Sequence, residues 1–292
     1  MNSNIRSKQT IVIGAIVLLV AFLFTRDIKG LVKPTEENGK MPSSGPVAGA
    51  ASPSTTSVLN LETSSTAAKN VINKNLATDI TALENSYKGA NGTEKIELAK
   101  QLAQKWDDVE QITPSALYLE VVAEGEPSTK SWLAAGNQFI KAFESTQDSI
   151  AQPALLQKAN ASYKNALEKD STNIEAKTGL GVTIVNGLGA PMQGIAMLLE
   201  VVAKEPKNVK ANMNLGLFSI KSGQFDKAIP RFNTVIAAAP TPEAYFYLGT
   251  ALENLGRNKE AVNAYLSSKK LAANPTLSSF IDKKVAELKN KN

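Results

Sequence analysis

The sequence predicts an all-α protein: a solenoid of about four helical hairpins with capping helices, behind a single N-terminal transmembrane helix. Three observations carry this. From residue 58 onward the apolar residues recur every three or four positions, the spacing of a helix that buries one face. Two neighbouring stretches of about thirty residues, 209–240 and 242–271, repeat one another position by position. No segment alternates with period two for long enough to form a strand.

The chain opens with a basic tail and an apolar run, residues 1–33. Ile11 to Phe24 reads IVIGAIVLLVAFLF, with Arg6 and Lys8 before it and Arg26 and Lys29 after it. The stretch from Gln9 to Thr25, which holds the membrane segment at residues 10–25, spans roughly 25 Å as a helix, slightly short of a hydrocarbon core, and snorkelling of Lys8 and Arg26 covers the difference. A buried core helix would show a polar face, and this run has none. A cleavable signal needs small residues just past the run, where Phe22-Leu23-Phe24-Thr25-Arg26 stands instead. An uncleaved signal anchor fits best. Flanking charge does not orient it, but a short basic tail before a first apolar segment usually stays on the cytoplasmic side. The expectation is a single-pass protein of the inner (plasma) membrane with its soluble part periplasmic.

Residues 34–57 contain MPSSGPVAGAASPSTTS, with almost no large apolar side chain. Such a stretch buries too little surface to offset ordering entropy and reads as a tether. About 24 residues reach roughly 25–30 Å end to end. A Ser/Thr-rich glycosylated stalk is the other reading.

Residues 58–128 form an N-terminal helical cap. Ile72, Leu76, Ile80, Leu83 and Tyr87 define one helix, stopped by Gly89-Ala90-Asn91-Gly92. Thr93 is placed to cap the next, which carries Ile96, Ala99, Leu102, Ala103 and Trp106. Thr113-Pro114 reads as a further start. Residues 93–126 have the length of a degenerate extra hairpin.

Residues 129–275 hold the repeats. Leu215-Gly216 aligns with Leu248-Gly249, Gly223 with Gly256, Ala228 with Ala261 and Phe232 with Tyr265, with thirteen residues from each Leu to its Ala. Upstream, Trp132-x2-Ala135-Gly136-x2-Phe139 opens one copy, which Ala159-x3-Tyr163 closes after eleven extra residues around Glu144–Pro153. Lys177-x2-Leu180-Gly181-x2-Ile184 opens another, with Gly194 in the alanine place and an end at Pro206. The four copies resemble the tetratricopeptide repeat, whose pattern is W-x2-L-G-x2-Y, then A-x3-F, then Pro. In that pattern the glycines and alanines mark close helix crossings and the aromatics fill the space between helices, while Pro206 and Pro240 end the second helices. Residues 276–292, with Leu277, Phe280, Ile281, Val285 and Leu288 on one face, read as a C-terminal capping helix.

The resemblance implies a concave surface, lined by the first helix of each repeat, that receives a protein or peptide partner. Turning each wheel so that its packing residues point into the core leaves Leu133, Asn137 and Ile140 in the first repeat and Thr178, Val182 and Val185 in the second. The third offers Met213, Asn214, Leu217 and Ile220, and the last Phe246, Thr250 and Glu253. One subgroup of the family clamps terminal carboxylates with Lys, Arg and Asn at such places. Here the positions are mostly apolar, so the expected guest is an apolar segment whose backbone bonds to Asn137 and Asn214; the other reading is that some of these residues pack under a neighbouring repeat or under the Leu61–Tyr87 helix. The extra residues at Glu144–Pro153 are a second candidate contact, or a plain long loop.

Composition narrows the chemistry further. There is no cysteine and no histidine, which excludes disulfides, Cys/His zinc sites and imidazole-based triads. Asp107-Asp108 and Glu36-Glu37 do not converge on one atom, and no phosphate loop or nucleophile elbow is present. We therefore expect no enzyme activity, no cofactor and no metal. A net charge of +5 on 292 residues is no nucleic-acid footprint. The expected role is an anchored scaffold in assembly of a cell-envelope complex. The alternative is a structural protein that self-assembles through its solenoid surface into a homo-oligomer.

Overall fold

The computed structural model describes residues 59–187 and 189–290; among them it holds thirteen α-helices and no β-strand. The basic tail, the apolar run and the tether lie outside the described residues. No helix among the described residues is long and apolar enough to cross a membrane.

The helices are α1 (Leu61–Lys69), α2 (Lys74–Gly89), α3 (Gly92–Asp108), α4 (Ile112–Gly125), α5 (Thr129–Ser145), α6 (Ala151–Lys169) and α7 (Ile174–Gly187). They continue as α8 (Pro191–Lys204), α9 (Val209–Lys221), α10 (Phe225–Ala238), α11 (Pro242–Asn254), α12 (Asn258–Leu271) and α13 (Pro275–Lys289). From α3 onward every helix packs against its sequence neighbour, which gives five stacked hairpins closed by α13. The starts are capped as their residues demand. Asn208 accepts from the Ala211 N–H, and Thr241 from the Ala244 N–H with Pro242 in the first turn. Gly223 and Gly256 end α9 and α11 at φ 72°, a left-handed turn that side chains rarely adopt.

Within a hairpin, small against large fixes the crossing. A Cβ on Gly136 would stand 2.9 Å from the Tyr163 ring, on Gly216 2.7 Å from Phe232, and on Gly249 2.8 Å from Tyr265. Each missing side chain on the first helix is the seat of an aromatic ring from the second. The α7–α8 hairpin departs from this scheme. Gly181 there faces Leu198 and the backbone of Gly194, so two glycines meet.

Three local features differ from the sequence expectation. Asn73 caps α2 by accepting from the Asn75 N–H, so Ile72 precedes the helix and α1 stands apart from it. Gly92 turns at φ 55° and Asn91 takes the cap position expected for Thr93. The extra residues at Glu144–Pro153 are not a long loop. They lengthen α5 and α6 and leave only Thr146–Ile150 between them, because Phe143, Ala151 and Leu155 continue the apolar spacing.

The N-terminal cap is pinned by a buried carboxylate. Glu84 of α2 accepts from the Ser65 hydroxyl at 2.6 Å and the Lys69 ammonium at 2.7 Å, both on α1, and from the Tyr118 hydroxyl of α4 at 3.3 Å. Burial, reinforced by this carboxylate, pushes the Tyr118 phenol well above its usual range. Glu84→Ala strips three donors of their acceptor and is expected to cost about 2 kcal/mol. Hydrogen exchange is the measurement. Faster exchange over residues 61–69 than over α5 to α12 is expected, and an unchanged α1 would show that the network does not hold it.

Candidate partner-binding groove

The first helices of successive hairpins, α5, α7, α9 and α11, touch one another in order, so they form the closely spaced inner layer of the solenoid. The curvature brings distant residues together. The Lys210 ammonium of α9 donates to the Asn137 Oδ1 of α5 at 3.1 Å, across the intervening α7.

That contact belongs to a polar cluster. Asn137 Oδ1 also accepts from the Tyr163 hydroxyl at 2.8 Å, while its Nδ2 donates to Glu175 at 2.7 Å. Lys210 sits 5.9 Å over the Tyr163 ring centroid, a cation–π contact. Desolvation lowers the Lys210 pKa, opposed by the charges of Glu175 and Glu144. Burial raises that of Glu144, with Lys210 acting against it. Among the described residues Lys210 forms no ion pair within 4.0 Å. A half-buried ammonium with an amide acceptor and only distant carboxylates retains donor capacity toward a guest oxygen.

Several expected groove residues are placed otherwise. Thr178 and Val182 are 1% and 2% exposed and Ile140 is 5% exposed. The close approach of α5 and α7 covers them, so they pack between repeats and do not face a partner. The Thr178 hydroxyl bonds back to the Ile174 carbonyl. Asn137 is committed to Glu175, Tyr163 and Lys210, and so is not the free amide expected for a guest backbone. The Asn214 Nδ2 donates to the Lys210 carbonyl of its own helix. Glu253 is a brace for the C-terminal cap: it accepts from the Tyr265 hydroxyl at 2.7 Å and from Lys284 of α13 at 2.8 Å. Thr250 bonds the Phe246 carbonyl and lies 3.3 Å from the same Tyr265 hydroxyl.

The accessible groove residues not engaged in these hydrogen bonds are apolar. Leu133, Val185, Met213, Leu217, Ile220 and Phe246 are all only partly buried. Met213, Leu217 and Ile220 pack on the cluster around Phe232 and Ala251. Phe246 is joined by Phe280 of α13, ring centroids 6.0 Å apart, which extends the aromatic floor toward the C-terminal end. Phe280 was expected inside the cap and is half exposed. Lys210, Glu175 and Phe280 are site residues the sequence reading missed. Lys210 falls on the same wheel face as Met213 and Leu217, one turn earlier, which is the signal that would have found it.

Residues 220–275 match the tetratricopeptide repeat family model. No curated protein matches the chain. Among solved structures, a thermophilic TPR protein of Thermus thermophilus is 15% identical, covers 65% of this chain and 99% of its own, and has a TM-score of 0.51. A MamA variant is 24% identical over 56% of this chain and 87% of its own, with a TM-score of 0.44. YrrB, described as a TPR protein with an unusual peptide-binding site, is 16% identical over 64% and 91%, with a TM-score of 0.42. The first of these shows that the part of the chain it covers shares the all-helical, tetratricopeptide-type solenoid fold.

Proposed function

We propose that this protein is a non-enzymatic scaffold, held at a membrane by residues 10–25, whose solenoid seats an apolar segment of a partner protein on its inner face. One observation carries the reading. The inner face sets partly exposed Met213, Leu217, Ile220 and Phe246 beside a half-buried Lys210 that forms no ion pair within 4.0 Å among the described residues. Buried apolar groups together with one convergent donor are the composition of a recognition surface. Each of the four has at most about a third of its surface left to cover, so covering it gains no more than about 1 kcal/mol. That only partly offsets the entropy of association, so the guest must extend beyond these four residues toward Leu133 and Phe280.

In this reading residues 1–33 are the basic tail and anchor, 34–57 the tether, 58–128 the N-terminal cap, 129–275 the repeats and 276–292 the C-terminal cap. The basic tail stays cytoplasmic, and the solenoid works on the periplasmic side in assembly of a cell-envelope complex. The shortness of the basic tail ahead of a first, uninterrupted apolar run supports this orientation.

Site-specific photocross-linking in intact cells tests the proposal. A probe replacing Met213 or Phe246 is expected to capture one distinct partner that a probe at Lys270, on the exposed face of α12, does not. The compartment of that partner reports the orientation of the anchor. Identical products from all three positions would remove the groove from the account.

A further inference from the structure

The second helix of each hairpin turns one face to solvent, and comparing these faces singles out α8. The four helices align on the small residue at the crossing: Ala159, Gly194, Ala228 and Ala261. At the four solvent-facing places α6 carries Gln157, Lys164 and Glu168 beside one alanine. In α12 the same places hold Lys259, Asn263 and Lys270, and α10 has Asp226 and Asn233 among them. In α8 they are Met192, Ala196, Leu199 and Ala203, with no polar side chain at any of them. Met192 is 73% exposed and Leu199 44%.

Packing within the chain does not require this stripe. The inward face of α8 is already supplied by Gly194, Leu198 and Val201, all buried. At 100° per residue the four outward residues fall within about 60° of one another. They form a straight seam, whereas single exposed apolar residues elsewhere are ordinary. The seam is also self-complementary in size. Reversing the helix about the point between Met197 and Leu198 places 192 opposite 203 and 196 opposite 199. Each large side chain then meets an alanine, Met192 on Ala203 and Leu199 on Ala196.

We propose that α8 is a homodimer contact, in which two copies of this chain pack α8 on α8, antiparallel, about a two-fold axis. Such an isologous interface needs one patch that complements itself, and the alternation of large and small supplies it. The symmetry sorts the rims as well. Ile195 and Val202 lie on one side of the seam and Gln193, Glu200 and Lys204 on the other. The two-fold joins like rim to like rim. Gln193 of one copy then sits level with the gap between Glu200 and Lys204 of the second, one amide able to serve both charges. A pair of fourteen-residue helices buries less than the roughly 1,200 Å² of a standard interface, so the dimer forms and dissociates with concentration. This contact lies on the outer face and is independent of what the groove binds.

The chain contains no cysteine, so single-cysteine variants of the full-length protein report the geometry directly. Under mild oxidation in cells, copies carrying Met192→Cys are expected to form a disulfide with co-expressed copies carrying Ala203→Cys. Met192→Cys is not expected to pair with itself, since those two positions lie about 16 Å apart along the helix axis. Adding Leu199→Lys, the residue type that α6 already tolerates at Lys164, should lower the mixed product at least tenfold while the far-UV circular dichroism stays helical. Equal yields from every pairing, no product at all, or a preference of 192 for itself would each overturn the antiparallel dimer. So would protection of Met192→Cys from a thiol reagent by lipid vesicles but not by raised protein concentration, which would make a bilayer the occupant of the seam.

Discussion

Tyr163→Ala is expected to lose about 3–5 kcal/mol of stability and to loosen the inner face in the same step. The Tyr163 ring is fully buried, and both helices of the inner layer next to it have given up side chains to seat it. A Cβ on Gly136 of α5 would lie 2.9 Å from the ring, and one on Gly179 of α7 2.2 Å. With glycine on two sides, neither Gly136 nor Gly179 has a side chain that could swing into the vacated space, which places the cost toward the upper part of the range. The hydroxyl matters separately. It donates to Asn137 Oδ1, the atom that also receives Lys210. Burial holds the phenol well above its usual pKa, with the charges of Glu175 and Glu144 adding to the effect, so it remains a donor at any ordinary pH. Tyr163→Phe keeps the ring and is expected to cost about 1 kcal/mol, with its main effect on groove cross-linking. Urea denaturation of both variants, followed by far-UV circular dichroism, separates ring from hydroxyl. An alanine variant within about 1 kcal/mol of the parent would mean that α5 and α7 close over the space and that the ring is no keystone.

The hairpins were legible in the sequence because their determinants lie close together in it. Gly216 and Phe232, or Gly249 and Tyr265, are sixteen residues apart in both copies, and their spacing alone states which residue must be small and which must fill. The inner face was legible only in part, since it is made between repeats. A helical wheel for α7 puts Thr178 and Val182 on the concave side correctly in angle. It cannot report that α5 and α9 approach closely enough to cover them. Lys210 and Asn137 are 73 residues apart, and their meeting depends on a curvature that accumulates over two repeats. The Glu84 network escaped for a different reason. A lone glutamate on an amphipathic helix reads as a solvated side chain until Ser65, Lys69 and Tyr118 are seen around it. The seam on α8 was visible in the sequence, but an apolar residue on a repeat helix reads as core until burial shows which of them face water.

Gly194→Ala should destabilise the solenoid even though Ala159, Ala228 and Ala261 stand at the same place in the other hairpins. Two effects oppose each other here. Alanine in a helix interior gains about 1 kcal/mol over glycine. Against this, a Cβ on Gly194 would fall 2.5 Å from the Gly181 carbonyl oxygen and 2.9 Å from the Val185 nitrogen, both backbone atoms of α7. A flexible side chain can yield to such a contact, but a helix backbone yields only by moving the whole crossing. Overpacking of this kind costs about 1–3 kcal/mol, and because the obstacle is backbone the upper end applies, for a net loss of about 1–2 kcal/mol. Gly194→Leu adds bulk to the same clash and should lose more than about 3 kcal/mol. The hairpin lies in the middle of the stack, and a solenoid is held together by nearest-neighbour interfaces. Weakening it should split one cooperative transition into two, with hydrogen exchange rising first over 174–204 and the flanking hairpins melting separately. A single sharp transition at higher urea for Gly194→Ala would show that helix propensity wins and that α7 and α8 separate freely. The two-glycine crossing would then be a tolerated variant of the alanine crossing and not a tighter one.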